Sequence, residues 1–228
     1  MKKKQETQQF NMTYAQLMQL GDKAVILITR DTAELATFGV DAATKTFIAN
    51  KTQDLKDMPT DEELEATVTD LTEKKDDKAE EVKVAVRGIM VRAKNAFGEQ
   101  TGNFRRFGSK GMDEMTDGQL YRCGKRVARV AETFLADLAP KGLTQAIIDA
   151  LKTTNNQFDD KIDLQDDAKR QRDIATASRI RLGNNLYAKI AEVCDYGKEY
   201  WATRNEAKYN DYVIYDVPPA PPVPPVNP

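Results

Sequence analysis

This chain of 228 residues contains no histidine, which limits the chemistry that it can perform. Without an imidazole there is no Ser-His-Asp or Cys-His nucleophile system, no usual zinc site and no Glu-x-x-His motif of the ferritin-like di-iron bundles. The two cysteines, Cys123 and Cys194, stand in predicted helices without a Cys-x-x-Cys spacing, which is typical of reduced, buried thiols. We therefore expect a protein that is not an enzyme, with no catalytic residues and no cofactor.

Carboxylates are the remaining candidates for a metal site. Five of them follow one another closely in the second half of the chain: Asp159, Asp160, Asp163, Asp166 and Asp167. Their spacing lacks the Asp-x-Asp-x-Asp-Gly pattern of a calcium loop. An acidic stretch at the start of a helix, favoured by the helix dipole, is the simpler interpretation, so we expect no bound metal.

Cations lie among glycines in the stretch 98–111, where Arg105, Arg106 and Lys110 are found. Exposed backbone N–H groups together with such cations can hold a phosphate. The Walker pattern is absent, because Ser109 precedes Lys110 and no glycine has the required spacing. Two interpretations stay open: a flexible loop that joins two halves of the protein, which we favour, and a nucleotide- or nucleic-acid-binding loop.

The charge balance bears on the choice of partner. The net charge is −2, so the chain has no overall basic field to attract nucleic acid or an anionic membrane. The basic N-terminus runs into polar residues where a signal peptide needs an apolar core, and the most apolar run, 24–28, is too short to span a bilayer. We expect a cytoplasmic protein without membrane contact, for which nucleic acid is a disfavoured partner.

Aromatic residues and prolines are concentrated near the C-terminus. The aromatic and β-branched residues of 209–217 predict an extended strand over 211–217, and the prolines of 218–228 predict polyproline II. A helical body has no sheet edge to complete, so we expect this strand to pair with another chain or a second copy. The alternative is a disordered tail. The predicted partner-binding residues are Trp201, Tyr209, Tyr212, Val213, Ile214, Tyr215, Pro218, Pro219, Pro221 and Pro222.

The sequence that would form the elements positioning these residues contains an internal repeat. Residues 12–21 and 115–124 share Met, Thr, Gln, Leu and Gly at a constant offset of 103 positions. The offset persists in five further pairs: Ala33 and Ala136, Leu35 and Leu138, Gly39 and Gly142, Ala43 and Ala146, Asp57 and Asp160. It then changes to 99, where Phe97-Gly98 matches Tyr196-Gly197. We interpret this pattern as the tandem duplication of one helical unit.

Apolar spacing and capping residues predict three helices in each copy. The predicted helices run from Tyr14 to Phe38, from Asp41 to Met58, from Thr60 to Phe97, from Thr116 to about Leu138, from Thr144 to near Asp159-Asp160, and from there to about Lys208. The predicted fold class is all-α, an elongated antiparallel bundle of six helices in two equivalent halves. The alternative is a four-helix bundle, in which the chain only kinks at Gly39 and at Gly142 instead of reversing.

These predictions divide the chain into five parts: a polar tail (1–11), a helical repeat (12–98), a glycine-rich basic loop (99–114), a second repeat (115–208) and a strand-plus-polyproline arm (209–228). A helical bundle that folds by itself does not need this arm. We therefore expect a non-enzymatic structural or adaptor protein, in which a rigid bundle docks into a larger assembly or oligomer through residues 209–228. A nucleotide- or nucleic-acid-binding module that uses the loop 98–111 is the alternative.

Overall fold

Helices are the regular structure of this protein. The computed structural model describes residues 6–215, and within them no strand occurs. The helices are α1 (Tyr14–Arg30), α2 (Thr32–Ala36), α3 (Ala42–Lys56), α4 (Asp61–Phe97), α5 (Gly102–Arg105), α6 (Asp117–Thr133), α7 (Leu135–Leu138), α8 (Gln145–Trp201) and α9 (Glu206–Asp211), with short 3-10 turns at Met112–Glu114 and Ala139–Lys141. The all-α fold class is confirmed. Within the described part of the chain, no helix combines the length and the apolarity needed to cross a membrane.

The chain forms two compact units. Unit 1 contains the residues up to Pro59 together with those from Ile174 onwards, and unit 2 runs from Thr60 to Asp173. The helices α1 and α3 therefore belong to unit 1, whereas α4 belongs to unit 2. The long helix α8 begins in unit 2 and ends in unit 1. Each unit thus takes its third long helical segment from the other predicted repeat.

The core of unit 1 is formed by α1, α3, the second part of α8 and the segment after α9. Leu17, Ala24 and Ile28 lie on one face of α1 at the spacing of an amphipathic helix. The buried apolar residues are Phe10, Leu17, Ala24, Leu27, Ile28, Leu35, Val40, Ile48, Leu55, Leu186, Ile190, Val193, Cys194 and Tyr212. Because Tyr212 is among them, the segment that follows α9 is part of this core.

Unit 2 has its own core between α4, α6 and the first part of α8. Val82, Val86, Ile89 and Ala93 form the buried face of α4. The buried apolar residues of the unit are Ala79, Val82, Val86, Ile89, Ala93, Phe107, Met112, Leu120, Cys123, Val127, Ala128, Ala131, Leu138, Leu143, Ile148, Leu151 and Phe158. Each unit therefore buries a continuous apolar cluster, the main favourable term in folding.

The predicted helix starts are confirmed at the capping residues. Thr13 precedes α1, and its backbone N–H donates to Gln16 Oε1 at 2.9 Å. Thr116 precedes α6, and its N–H donates to Gln119 Oε1, also at 2.9 Å. Thr60 begins α4 with the same kind of capping box. These reciprocal bonds satisfy backbone donors that a helix end would otherwise leave unpaired.

The helix predicted over residues 14–38 is interrupted near its end. It breaks at Asp31, with φ −107° and ψ 36°, and its counterpart breaks 103 residues later at Phe134, with φ −106° and ψ 21°. Short helices, α2 and α7, continue the chain in both places. Gly39 and Gly142 then adopt φ values of 82° and 79°, which glycine accepts without the steric cost that a Cβ imposes.

The chain reverses direction after each of these glycines. A Cβ on Gly21 of α1 would lie 2.2 Å from Thr52 Oγ1 of α3, so these two helices are in close contact. A Cβ on Gly124 of α6 would lie 2.1 Å from Asn155 Oδ1 of α8, which shows the same close approach in unit 2. Both turns are therefore reversals, as the six-helix prediction requires, and the kinked alternative is wrong.

The predicted break near Asp159-Asp160 is wrong, because α8 continues through it from Gln145 to Trp201. The corresponding connection between α3 and α4 contains Pro59, which disfavours helical geometry at the preceding residue and removes a backbone donor. Residues 159–163 contain neither proline nor glycine, so nothing there ends the helix. The predicted fifth and sixth helices are a single helix.

The strand predicted over residues 211–217 is also wrong in its described part. Asp211 ends α9, and Tyr212 and Val213 donate their backbone N–H groups to Tyr209 and Asn210, within the same chain. The local turn therefore supplies the hydrogen bonds that a strand would seek from a neighbour. Residues 216–228, with the predicted polyproline segment, lie outside the described residues.

The loop predicted over residues 99–114 contains local structure. Thr101 accepts a hydrogen bond from the backbone N–H of Phe104 and caps the short helix α5. A 3-10 turn, Met112–Glu114, follows, and Phe107 between them is fully buried. This segment is therefore packed into unit 2.

Candidate functional site

The aspartate at the break between α1 and α2, Asp31, has no exposed surface. Its two carboxylate oxygens accept hydrogen bonds from four side chains of unit 1. The donors are Arg30 Nε at 3.0 Å and Nη2 at 2.7 Å, Trp201 Nε1 at 3.2 Å, Lys208 Nζ at 2.9 Å and the Tyr212 hydroxyl at 2.9 Å. We call these five residues the anchor cluster.

The anchor cluster holds its aspartate in the charged form. Burial by itself raises the pKa of Asp31, but the hydrogen bonds from Arg30, Lys208 and Tyr212 outweigh it and lower the pKa to about 2. Burial, followed by the hydrogen bond to the carboxylate, raises the pKa of Tyr212 above its ordinary value. The tyrosine is therefore a neutral donor and the aspartate a charged acceptor at every physiological pH.

The anchor cluster fixes the end of the described chain to unit 1. The Lys208 ammonium lies 3.8 Å from the centre of the Trp201 ring, a cation–π contact. The Tyr212 ring lies against Gly197 of α8, where a Cβ would come within 2.3 Å of it. Asp211 forms an ion pair with Arg30. Each of the other four side chains of the cluster donates a hydrogen bond to Asp31, so the cluster attaches the segment that contains Lys208 and Tyr212 to the rest of unit 1.

The predicted partner-binding residues differ in how accessible they are. Tyr212 is fully buried within its own unit and is therefore unavailable to a partner. Trp201, Tyr209, Val213 and Ile214 are half-buried.

The Tyr215 side chain has 42% of its surface exposed. Its hydroxyl accepts a hydrogen bond from the backbone N–H of Asn11 at 3.0 Å. This tyrosine is the last described residue, and the predicted contacts Pro218, Pro219, Pro221 and Pro222 lie beyond it. Among the predicted partner-binding residues that the structure describes, Tyr215 is therefore the exposed one.

A cleft of about 460 Å³ lies in unit 2 between α6 and the segment before it. Its lining residues are Gly108, Lys110, Gly111, Glu114, Met115, Gln119, Arg122, Cys123 and Arg126. Three of these side chains are cations and one is a carboxylate, so the cleft is basic. We call it the basic cleft.

Two arginines of α6 form one side of the basic cleft. Arg122 Nε donates to the backbone oxygen of Gly118 at 3.1 Å, which leaves its outer nitrogens for other acceptors. The Arg126 guanidinium lies over Gly108, where a Cβ would meet Nη1 at 2.2 Å and where φ is 64°. The absence of a side chain at Gly108 thus permits both the left-handed backbone turn and the close approach of the arginine.

Of the three cations predicted to bind an anion, only Lys110 lines the basic cleft. Arg105 is exposed and contacts Gln100, and Arg106 lies 5.8 Å from the Phe134 ring centre. Sequence reasoning missed Arg122 and Arg126. The signal was present, because the stretch 118–131 carries four cations and no acidic residue.

Unit 1 has a cleft at the corresponding place, with a volume of about 390 Å³. Its lining residues are Asn11, Met12, Gln16, Gln19, Leu20, Lys23, Ile214 and Tyr215. Lys23 is its only charged side chain, so its lining carries a net charge of +1 against +2 in the basic cleft. We call it the neutral cleft because the residue that matches Arg122 is the neutral amide Gln19.

The basic and neutral clefts use the same positions of the two repeats. At the offset of 103, the matched pairs are Asn11 and Glu114, Met12 and Met115, Gln16 and Gln119, Gln19 and Arg122, Leu20 and Cys123, Lys23 and Arg126. Both clefts therefore lie on the first helix of a repeat and differ mainly in charge. The largest change is a neutral amide, Gln19, where unit 2 has Arg122.

Thiol chemistry and metal binding find no support in the geometry. Burial raises the pKa of the Cys123 thiol, against the opposing effect of Arg126, and burial raises the pKa of Cys194 to about 11. Both thiols therefore favour the protonated form, which is a weaker nucleophile than the thiolate. Among the described residues, no group of three or more cysteine, aspartate or glutamate side chains could hold a metal ion.

Comparison with known proteins identifies no relative of this chain. It matches no protein-family model, no curated protein and no solved structure.

Proposed function

We propose that this protein is a non-enzymatic structural or adaptor protein that docks into a larger assembly, or onto a second copy, through its C-terminal segment 209–228. The observation that supports this proposal most is the anchor cluster. It attaches the chain to unit 1 at Tyr212, only a few residues before the proline-rich sequence. A segment that starts from a fixed point loses less conformational freedom on binding than one on a mobile tether.

The composition of the segment supports the same function. Residues 218–228 are mostly proline, and a proline-rich chain is already extended, so it costs little to order in a groove lined by aromatic residues. Ile214 and Tyr215 lie directly before it and retain exposed surface. We propose that they form the first contacts with the partner and that the prolines form the rest.

Removal of residues 216–228 tests this proposal. A chain that ends at Tyr215 keeps the anchor cluster, so its helicity and its unfolding by urea should equal those of the full chain. It should lose the partner that the full chain co-purifies from its host, or its self-association in analytical ultracentrifugation. A full-length variant with alanine at Pro218, Pro219, Pro221 and Pro222 tests the prolines at constant length. Equal recovery of the partner by the chain that ends at Tyr215 would show that docking does not use residues 216–228 and would refute the proposed role of the prolines.

We also infer that the two repeats arose by tandem duplication. The helix breaks at Asp31 and Phe134, and the left-handed glycines at Gly39 and Gly142, are all separated by 103 residues. The two close helix contacts obey the same offset, and so do the two clefts. Independent helices would have no reason to repeat a break, a turn and a glycine contact at one spacing.

The second part of the repeat aligns differently from the sequence prediction. The offset of 99 that paired Phe97 with Tyr196 does not match the buried positions, whereas an offset of 104 does. At 104 the buried pairs are Lys75 and Arg179, Ala79 and Gly183, Val82 and Leu186, Val86 and Ile190, Ile89 and Val193, Ala93 and Gly197. The same offset pairs the capping residues Thr101 and Asn205. On this alignment α9 is the counterpart of α5, and the duplicated unit includes both of these short helices.

A further inference from the structure

We infer that the basic cleft of unit 2 binds the phosphate group of a small ligand. The three cations and one carboxylate of its lining give a net charge of +2, which complements a phosphate dianion. Lys110, Arg122 and Arg126 form no ion pair with a carboxylate in the described part of the chain, and all three are exposed. Their charges are therefore available to a ligand. This inference does not depend on the docking proposed for the C-terminal segment.

The side chains are of the kind that recognises phosphate. A guanidinium presents several N–H donors in one plane and binds two phosphate oxygens at once, while a lysine supplies a mobile positive charge. The outer nitrogens of Arg122 remain unused after its Nε bonds to Gly118. The Arg126 guanidinium lies close to Gly108. One arginine is therefore oriented by a hydrogen bond, and the other lies beside the backbone of the loop before α6.

The size of the cleft and the charge of the whole chain indicate a small ligand. A volume of about 460 Å³ is within the range of about 300–1,000 Å³ that is usual for small-molecule sites. The net charge of the chain is −2, which gives no long-range attraction for a polyanion such as nucleic acid. A phosphate ester of a small metabolite fits both observations.

The neutral cleft of unit 1 provides an internal comparison. It has a similar volume and stands on the matching helix face, but Gln19 and Lys23 replace Arg122 and Arg126. Volume and helix position are thus largely shared between the two clefts, whereas both arginines and one unit of positive charge belong to the basic cleft alone. The basic cleft should bind phosphate, and the neutral cleft should not.

The test exchanges the two residues between the clefts of the full-length protein. Inorganic phosphate is titrated and binding is followed by the NMR shifts of backbone amides around each cleft, with a sugar monophosphate as second probe. Saturable shifts are expected around the basic cleft alone. The double variant Arg122→Gln with Arg126→Lys should weaken this binding about tenfold or more, because hydrogen bonds to charged groups are the strong ones. The reverse variant, Gln19→Arg with Lys23→Arg, should create saturable shifts around the neutral cleft.

A matched control separates a local site from a general charge effect. Arg129→Gln removes a positive charge from an exposed position of α6 that does not line the cleft, and it should leave phosphate binding within about twofold of wild type. Circular dichroism of every variant checks the fold, and Lys110→Gln supplies an independent loss-of-charge variant outside the helix. Absence of saturable shifts in the wild type, or an equal loss in the Arg129 variant, would overturn the inference. Binding of an oligonucleotide that phosphate cannot displace would overturn the small-ligand assignment.

Discussion

Replacement of Asp31 by asparagine tests the physical basis of the anchor cluster. The hydrogen bonds of the folded protein lower the pKa of this buried carboxyl from 3.8 to about 2. At about 1.4 kcal/mol per pKa unit, this difference corresponds to about 2.5 kcal/mol of stability at neutral pH. An asparagine keeps the shape of the side chain but removes the charge that Arg30 and Lys208 face. We expect Asp31→Asn to lower the free energy of unfolding of unit 1 by about 2–3 kcal/mol.

The pH dependence gives this prediction a definite sign. Because the folded pKa is lower than the unfolded one, the stabilisation is complete above about pH 5 and is lost as the pH falls through 3.8 towards 2. The wild type should therefore lose stability on acidification more steeply than Asp31→Asn. The difference between the two proteins should be largest at neutral pH and should close towards pH 2.

Trp201 is the only tryptophan of the chain, and it donates a hydrogen bond to Asp31. Its fluorescence therefore reports the unfolding of unit 1 in urea directly at the anchor cluster. Asp137→Asn, which neutralises an exposed carboxylate of unit 2, serves as the control and should change stability by less than about 0.5 kcal/mol. A loss as small as this for Asp31→Asn, or a loss that stays constant from neutral to acid pH, would refute the reasoning.

The other predictions concern packing at three further places. Gly124→Ala should destabilise unit 2 by about 1–3 kcal/mol in chemical denaturation, because the new Cβ would lie 2.1 Å from a side-chain oxygen of α8. Gly118→Ala in the same helix is the control: its Cβ would have no neighbour within 4 Å, so this substitution should not destabilise unit 2. A chain that ends at Lys208 should unfold at lower urea than one that ends at Tyr215, since only the shorter chain loses the buried Tyr212; equal midpoints would mean that Tyr212 is not part of the core. Cys194, whose pKa burial raises to about 11, should react with a disulfide reagent at mildly alkaline pH only after unfolding, and fast reaction of the native protein would contradict its burial.

Local signals in the sequence were sufficient to predict where the long helices begin. Thr13, Thr60 and Thr116 mark helix starts because capping depends on residues within one turn. The turns at Gly39 and Gly142 were equally visible, since a left-handed backbone strongly favours glycine. Where structure follows from short-range sterics and hydrogen bonds, the sequence is informative by itself.

The errors arose where distant contacts override local preference. The aromatic residues after α9 favour a strand by propensity, but the buried pocket beside Gly197 and the carboxylate of Asp31 take up Tyr212 instead. Those partners are far apart in sequence, so no local pattern could reveal them. The uninterrupted helix α8 was missed for a different reason, because the break after Met58 was carried over to a copy that lacks the proline.

The candidate site was predictable in part. The glycines around Lys110 indicated a possible anion-binding loop, and Lys110 does line the basic cleft. Arg122 and Arg126 stand four residues apart on one face of α6, but a basic helix face is usually only a solvated surface. They line a cleft only because the loop before α6 packs beside them, which is a tertiary contact.

Both ends of the described chain lie in unit 1 and are joined to each other. The backbone N–H of Asn11 donates to the Tyr215 hydroxyl at 3.0 Å, and Asn184 of α8 bonds to the backbone of Thr7 and Gln9 at 3.0 and 2.9 Å. A pulling force applied between attachments at the two ends would act on these contacts first. Unit 2 would remain outside the path of tension until unit 1 had opened. If both ends are tethered in an assembly, unit 1 is therefore the mechanical link, and unit 2, with its basic cleft, is shielded from the load.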